Sequence, residues 1–161
     1  MKKIIVIGCP GSGKSTFSRA LSDRIGIPVY YLDMMYWNAD KTTADKSVFL
    51  ERLSRVIEKD AWIIDGNYAS TMEMRMAACD TVFFLDYPTE VCLEGVVARK
   101  GKARPDMPWI ETEEDAEFVE FIRKYRENQR PEVLALLGKY ADKSIVVFAD
   151  RDQAKAFIEK I

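Results

Sequence analysis

The sequence predicts an α/β domain in which a parallel sheet is covered by helices on both faces. Three observations predict it. Short β-branched runs alternate with helical periodicity along the chain, the order that builds right-handed βαβ units. The apolar runs are continuous rather than alternating, as in strands buried on both faces. The first run leads into a glycine-rich turn and then a helix, in KIIVIGCPGSGKSTFSRAL. The 161 residues suit one domain with a substantial core and are too few for two ordinary ones, so we read 1–161 as a single unit.

The elements follow in order. KIIVI (3–7) is a strand, and helical spacing runs from Lys14 to about Ile25, with Gly26 placed to cap it. PVYYL (28–32) is a second strand ending at Asp33. Over 46–58, Phe49, Leu53, Val56 and Ile57 recur at three- and four-residue spacing, which predicts a helix. AWIID (61–65) and TVFFLD (81–86) are strands, each followed by a helical stretch, the second over about 89–98. The segment 99–112, RKGKARPDMPWIET, holds two prolines and reads as a loop or lid. A long helical region spans 113–137, broken or restarted at Pro131. SIVVF (144–148) is a fifth strand and 151–160 a final helix. In such sheets ligands sit at the carboxyl ends of the strands, where Gly8, Asp33, Asp65 and Asp86 are expected.

Bulk properties narrow the function. A net charge of −2 supplies no field for recruiting nucleic acid or anionic membrane. Cys9, Cys79 and Cys92 are odd in number, far apart and outside any C-x-x-C pattern. They point to reduced thiols in a cytoplasmic protein rather than to disulfides or zinc. The N-terminus lacks the long apolar core of a signal peptide, and no run approaches membrane-span length. Histidine is absent, so a general base must be a carboxylate, unless the chemistry needs none.

Gly8-Cys9-Pro10-Gly11-Ser12-Gly13-Lys14-Ser15, followed by Thr16, fits the phosphate-loop pattern G-x-x-x-x-G-K-S/T. Its glycines let successive amides face a polyphosphate, and the following helix adds a positive N-terminal dipole. Lys14 would reach the β- and γ-phosphates of a nucleotide, and Ser15 would ligate Mg²⁺. Either Asp65 or Asp86 would hold that ion through water. Asp33 faces the acceptor side, bonding a substrate hydroxyl or taking its proton; a phosphate acceptor would need no base.

The basic residues follow the same logic. Arg99, Lys100, Lys102 and Arg104 lie in the lid segment, and Arg123, Arg126 and Arg130 are spaced along one helical face. Arginine clamps phosphate through a planar fork that stays charged. Arg75 either contacts an acceptor or lies on the surface. Tyr36 and Trp37 favour an acceptor pocket, whereas packing explains Tyr30 and Tyr31 equally well. A regulatory GTPase would carry N-K-x-D and D-x-x-G motifs, which are missing, and larger ATPases need more chain. Small nucleotide and metabolite kinases remain.

IIVIGCPGSGKST, YYLD, WIIDGNY, FLDYP and ARPDM together resemble the adenylate-kinase-related P-loop proteins of the topology modulation protein family, from Ile4 to about Leu137. IIDGNY and ARPDM are the more particular of these motifs. The resemblance implies a three-layer α/β/α P-loop NTPase fold of the nucleoside-monophosphate-kinase type. It implies strand order 2-3-1-4-5, an acceptor-side region over about 34–60 and a short lid over 99–112. It also implies ATP as the nucleotide, Asp65 near Mg²⁺, Arg104 on the nucleotide phosphates, and Arg130 at a family position after the lid. Asn67-Tyr68 departs from the phenylalanine-proline-arginine of true adenylate kinases, and the lid has no cysteines to bind zinc.

The expectation is therefore a Mg²⁺- and ATP-dependent phosphotransferase acting on a small nucleotide or metabolite. Lys14, Asp33, Arg104, Arg126 and Arg130 are its expected catalytic residues. Residues 8–16 with Arg99 are expected on the nucleotide, and Ser15, Asp65 and Asp86 on the metal. The alternative is a slow ATP-binding regulatory module that affects DNA topology indirectly. Neither reading expects direct contact with nucleic acid or membrane.

Overall fold

A computed structural model describes residues 1–161. Its elements are β1 (Lys3–Gly8), α1 (Lys14–Ile25), β2 (Val29–Tyr31), α2 (Leu32–Tyr36), α3 (Lys46–Ile57), β3 (Trp62–Asp65), α4 (Ala69–Ala78), β4 (Thr81–Leu85), α5 (Thr89–Arg99), α6 (Ala116–Asn128), α7 (Arg130–Lys139), β5 (Ser144–Phe148) and α8 (Arg151–Lys160). The five strands form one parallel sheet in the order β2-β3-β1-β4-β5. No helix is long and apolar enough to cross a membrane.

The continuous apolar runs have a simple cause. Successive strand side chains point to opposite faces, and in β1 both faces are covered. Ile4 and Val6 join one core with Phe17 and Leu21 of α1, Val96 of α5, Ile122 of α6 and Ala154 of α8. Ile5 and Ile7 join the other with Leu53 of α3, Met72 and Met76 of α4, and Leu137 of α7. The result is three layers, α/β/α.

Two boundaries differ from the sequence reading in ways that position side chains. The long helical region over 113–137 is two helices whose break at Gln129 moves the chain from one face of the sheet to the other. Proline at the second position of α7 suits such a start, because its missing N–H has no helical partner there. The second strand ends at Tyr31, and Leu32 turns into the core, fully buried. Asp33 therefore sits in the first turn of α2, not at a strand end.

Candidate active site

The phosphate loop leaves the carboxyl end of β1, the central strand, and enters α1. Gly13 precedes that helix at φ 93° with no side-chain cap; glycine takes this left-handed conformation without steric cost, and the first amides of α1 face the loop. The Lys14 ammonium donates to the carbonyls of Gly8 at 3.0 Å and Cys9 at 3.3 Å, spanning the loop it serves. Cys9 is buried, its thiol beside Cys92, so it serves the loop through its backbone.

Three contacts brace the loop from outside the motif. Asn67, after β3, accepts from the Gly8 amide at 3.0 Å, and its side-chain amide donates back to the Gly8 carbonyl. The Arg151 guanidinium, at the start of α8, donates to the carbonyls of Ser12 at 3.0 Å and Gly11 at 3.2 Å. It also lies 5.6 Å from the Tyr87 ring centroid, a cation–π contact. Gly95 of α5 packs backbone to backbone against Gly11.

A cavity of about 1030 Å³ opens from this loop. Pro10, Gly11, Gly13, Lys14, Ser15 and Thr16 line it along the loop, with Asp65 beside Ser15, and Asp33, Trp37, Arg99, Arg104 and Asp106 complete it. Asp65 is 5 % exposed, and burial pushes its carboxyl up to about 6 against the pull of Lys14 and Ser15. Its Oδ2 is buried without a donor. Burial likewise raises Asp33, while the Tyr68 hydroxyl donates to Asp33 Oδ1 and Lys14 attracts its charge. Burial and the neighbouring Asp33 charge keep Tyr68 protonated, hence a donor.

The raised Asp65 carboxyl has a consequence for the ligand-free protein. A carboxyl that binds protons more tightly when folded contributes stability below its unfolded value, and that contribution is lost as pH rises through its folded value. Metal-free protein therefore loses ~3 kcal/mol from Asp65 between about pH 4 and pH 6, with Asp33 adding in the same direction. Asp65→Asn should flatten that slope in denaturant melts at several pH values and raise the midpoint at pH 7. An unchanged slope would count against the burial of this charge.

Residues 100–112 form no helix or strand, and Arg99, expected in the lid, instead ends α5. Gly101 donates its amide to the Glu111 carbonyl at 2.6 Å, closing the segment on itself. Arg104 pairs with Glu111 at 2.7 Å and with Asp106 at 3.5 Å, and Arg99 approaches Glu111 at 3.7 Å. Burial, followed by the nearby Arg104, lowers the proton affinity of Arg99. Trp109 meets Trp37 edge-on at 5.3 Å, tying the segment to the acceptor-side stretch.

Not every expected site residue is brought here. Asp86, Arg126 and Arg130 do not line the cavity. Arg130 forks onto both Asp86 oxygens, Nε at 2.9 and 3.1 Å and Nη2 at 2.8 Å, and Arg126 lies 3.6 Å from the same carboxylate. A bidentate pair of this kind occupies the lone pairs that metal or phosphate contact would use. Of the two carboxylates considered for the ion, only Asp65 faces the loop. Tyr36 packs on Phe49 and Tyr68 rather than lining the space that Trp37 lines.

Arg75 is neither an acceptor contact nor a surface residue. It is fully buried and donates to the carbonyls of Gly66 at 2.9 Å, Asn67 at 2.8 Å and Tyr68 at 3.1 Å. Burial lowers its proton affinity to about 10. It thus holds the turn that presents Asn67 and Tyr68. Arg75→Met, similar in length but without donors, removes the guanidinium from the Gly66 and Asn67 carbonyls, while Tyr68 keeps its bond from the Thr71 amide, and should cost ~1–3 kcal/mol in urea unfolding. An unaltered midpoint would show that water replaces the guanidinium.

A loop of the phosphate-loop pattern after the central strand, within a 2-3-1-4-5 parallel sheet, is the fold of the P-loop kinases. Solved structures of that fold resemble the chain along nearly its whole length. Shikimate kinase from Bacteroides thetaiotaomicron is 22 % identical over 98 % of this chain and 94 % of its own, with a TM-score of 0.60. Shikimate kinase from Acinetobacter baumannii, solved with shikimate, is 18 % identical over 99 % and 90 %, with a TM-score of 0.66. A sugar kinase from Janibacter sp. HTCC2649 is 16 % identical over 99 % and 91 %, with a TM-score of 0.58. No protein-family model and no curated protein matches the sequence.

Proposed function

We propose that the protein is a Mg²⁺- and ATP-dependent small-molecule kinase that moves the γ-phosphoryl group of ATP to an acceptor hydroxyl. The observation that carries this reading is Asp33, a half-buried carboxylate oriented by Tyr68 in the same cavity as Lys14 and the phosphate loop. The kinases of similar fold, for shikimate and for sugar, support a metabolite acceptor. The IIDGNY and ARPDM motifs support kinship with the adenylate-kinase-related topology modulation proteins. Asn67 weakens the case for a nucleoside monophosphate, because its side chain is committed to Gly8.

The residues divide the work. Loop amides and Lys14 hold the donor phosphates, and Arg99 and Arg104 neutralise charge that spreads over the transferred group. The acceptor oxygen bonds to the γ-phosphorus, the bond from that phosphorus to the bridging oxygen breaks, and ADP leaves. The hydroxyl proton passes to Asp33, which burial makes a stronger base than an ordinary aspartate. The residues present fit Mg²⁺: Ser15 lies beside Asp65, whose buried Oδ2 lacks a donor, and no cluster of three acidic or thiol groups forms a protein-only cage. Mg²⁺ is ordinarily held this way, by one or two protein groups together with phosphates and water, and when bound it would offset phosphate charge.

The test is ADP release with Mg·ATP across a panel of sugars, polyols, hydroxy acids and nucleotides. A kinase requires at least one acceptor to stimulate release well above basal hydrolysis. Uniform basal rates over the whole panel would leave only the slow nucleotide-binding module.

A further inference from the structure

Five carboxylates line the cavity, and three of them, Asp33, Asp65 and Asp106, lie near one another. Each is the others' neighbour, since Asp106 raises the proton affinity of both Asp33 and Asp65. They do not converge closely enough to share one metal ion. In the kinase reading Asp65 serves Mg²⁺ and Asp33 the acceptor hydroxyl. Asp106 has no task there, yet it is only 6 % exposed, and its Oδ1 is buried with no hydrogen-bond donor.

The cations of the cavity are committed elsewhere. Lys14 and Arg151 hold loop carbonyls, and Arg99, which lies 3.7 Å from Glu111 and within reach of the Asp106 charge, turns with Arg104 to the phosphates in the kinase reading. Lys102 is exposed on the lid segment. Arg104 is the one cation paired with Asp106, at 3.5 Å, and the donor phosphates compete for it. Once it serves them, Asp106 is a buried carboxylate without a counter-charge, which is costly unless a ligand supplies one. Arg19, whose Nη1 is also buried without a partner, and Lys102 are the cations left that an anionic acceptor could use.

We propose that the acceptor is a hydroxylated amine whose ammonium group is taken by Asp106 while its hydroxyl faces Asp33. The proposal rests on the kinase reading above and names its substrate class. A protonated amine has no lone pair, so the nucleophile remains the hydroxyl and the bonds made and broken are those already given. The lid segment, through Asp106, thus selects the acceptor as well as carrying donor-side arginines.

Matched compounds test this: glucosamine, glucose and N-acetylglucosamine, with aminocyclitols and amino alcohols beside their uncharged analogues, and shikimate and AMP as anions. ADP release is read with Mg·ATP, and binding is read by calorimetry with a non-hydrolysable ATP analogue. The expected result is a preference of ~10-fold or more for at least one amine over its uncharged partners. Asp106→Asn should erase that preference and Asp106→Glu should keep part of it. Equal response to charged and uncharged members, or a preference for shikimate or AMP that Arg19→Met removes, overturns the inference and leaves the kinase reading standing. Amine binding that Asp106→Asn abolishes, with no ADP release, supports the inference and overturns the kinase reading. Failure of every amine to bind overturns the inference.

Discussion

Lys14→Ala should lower acceptor-stimulated ADP release ~10²–10³-fold while the protein stays folded. The side chain is half-exposed and its two bonds go to carbonyls of its own loop, Gly8 and Cys9. Removing it therefore leaves solvent-reachable acceptors rather than a hole in either core. What is lost is charge at one point. Lys14 attracts both Asp33 and Asp65, so besides its proposed role on the donor phosphates it restrains these two carboxylates. Without it those carboxylates bind protons more tightly, and the pH at which activity appears should move upward as well as its maximum falling. A variant that keeps more than a tenth of the stimulated rate would sink the phosphate-loop assignment. A variant that fails to melt cooperatively would show that the lysine is structural.

Local chemistry was legible in the sequence, whereas cross-chain pairing was not. The phosphate loop, α1, β5 and α8 all lie where periodicity and motif put them, because each is decided by neighbours a few residues away. Strand order came through the family resemblance and agrees with the sheet. The strand composition of PVYYL predicts Asp33 at a strand end; the burial of Leu32 outweighs that propensity and starts α2 instead. The bond from Arg130 to Asp86 spans 44 residues and that from Arg151 to Ser12 spans 139. No spacing rule reaches so far, and charge alone could not tell a clamp for phosphate from a clamp for aspartate. Asn67 was visible as a departure from adenylate kinases, but its pairing with Gly8 appears only when β1 and β3 lie side by side.

The cavity follows from the same economy of placement. β1 and β3 end beside one another in the sheet, so the loop after one and the turn after the other must meet. Asn67 ties them, Arg75 stiffens the turn from beneath, and Tyr68 carries that rigidity to Asp33. The carboxylate that would face an acceptor is thus oriented by the turn that also anchors the phosphate loop. Geometry of this kind is what in-line transfer requires, since small displacements of reacting groups cost large factors in rate.

Gly95→Ala should be the most damaging single-methyl change in the helices. Helix propensity alone predicts the reverse, because alanine is favoured over glycine by ~1 kcal/mol in a helix interior. Contact decides the sign. A Cβ on Gly95 would stand 2.0 Å from the Gly11 carbonyl oxygen and 2.9 Å from its carbon, and one on Gly11 would stand 2.0 Å from the Cys92 carbonyl oxygen. These are backbone atoms of the loop and of α5, so no side-chain rotation relieves the clash. Either α5 moves off the sheet, at a loss of ~3 kcal/mol or more from overpacking, or the loop moves and misdirects its amides. The second outcome should weaken nucleotide binding ~10-fold or more, since loop amides and dipole act only when aimed at the phosphates. Gly138, in α7, is the matched control, because nothing lies within 4 Å of its added Cβ. Gly138→Ala should be neutral or stabilising by up to ~1 kcal/mol. Denaturant melts and nucleotide titration of the two variants together separate the causes. If Gly95→Ala matches Gly138→Ala in both measurements, α5 does not press on the loop, and the brace assigned to it fails.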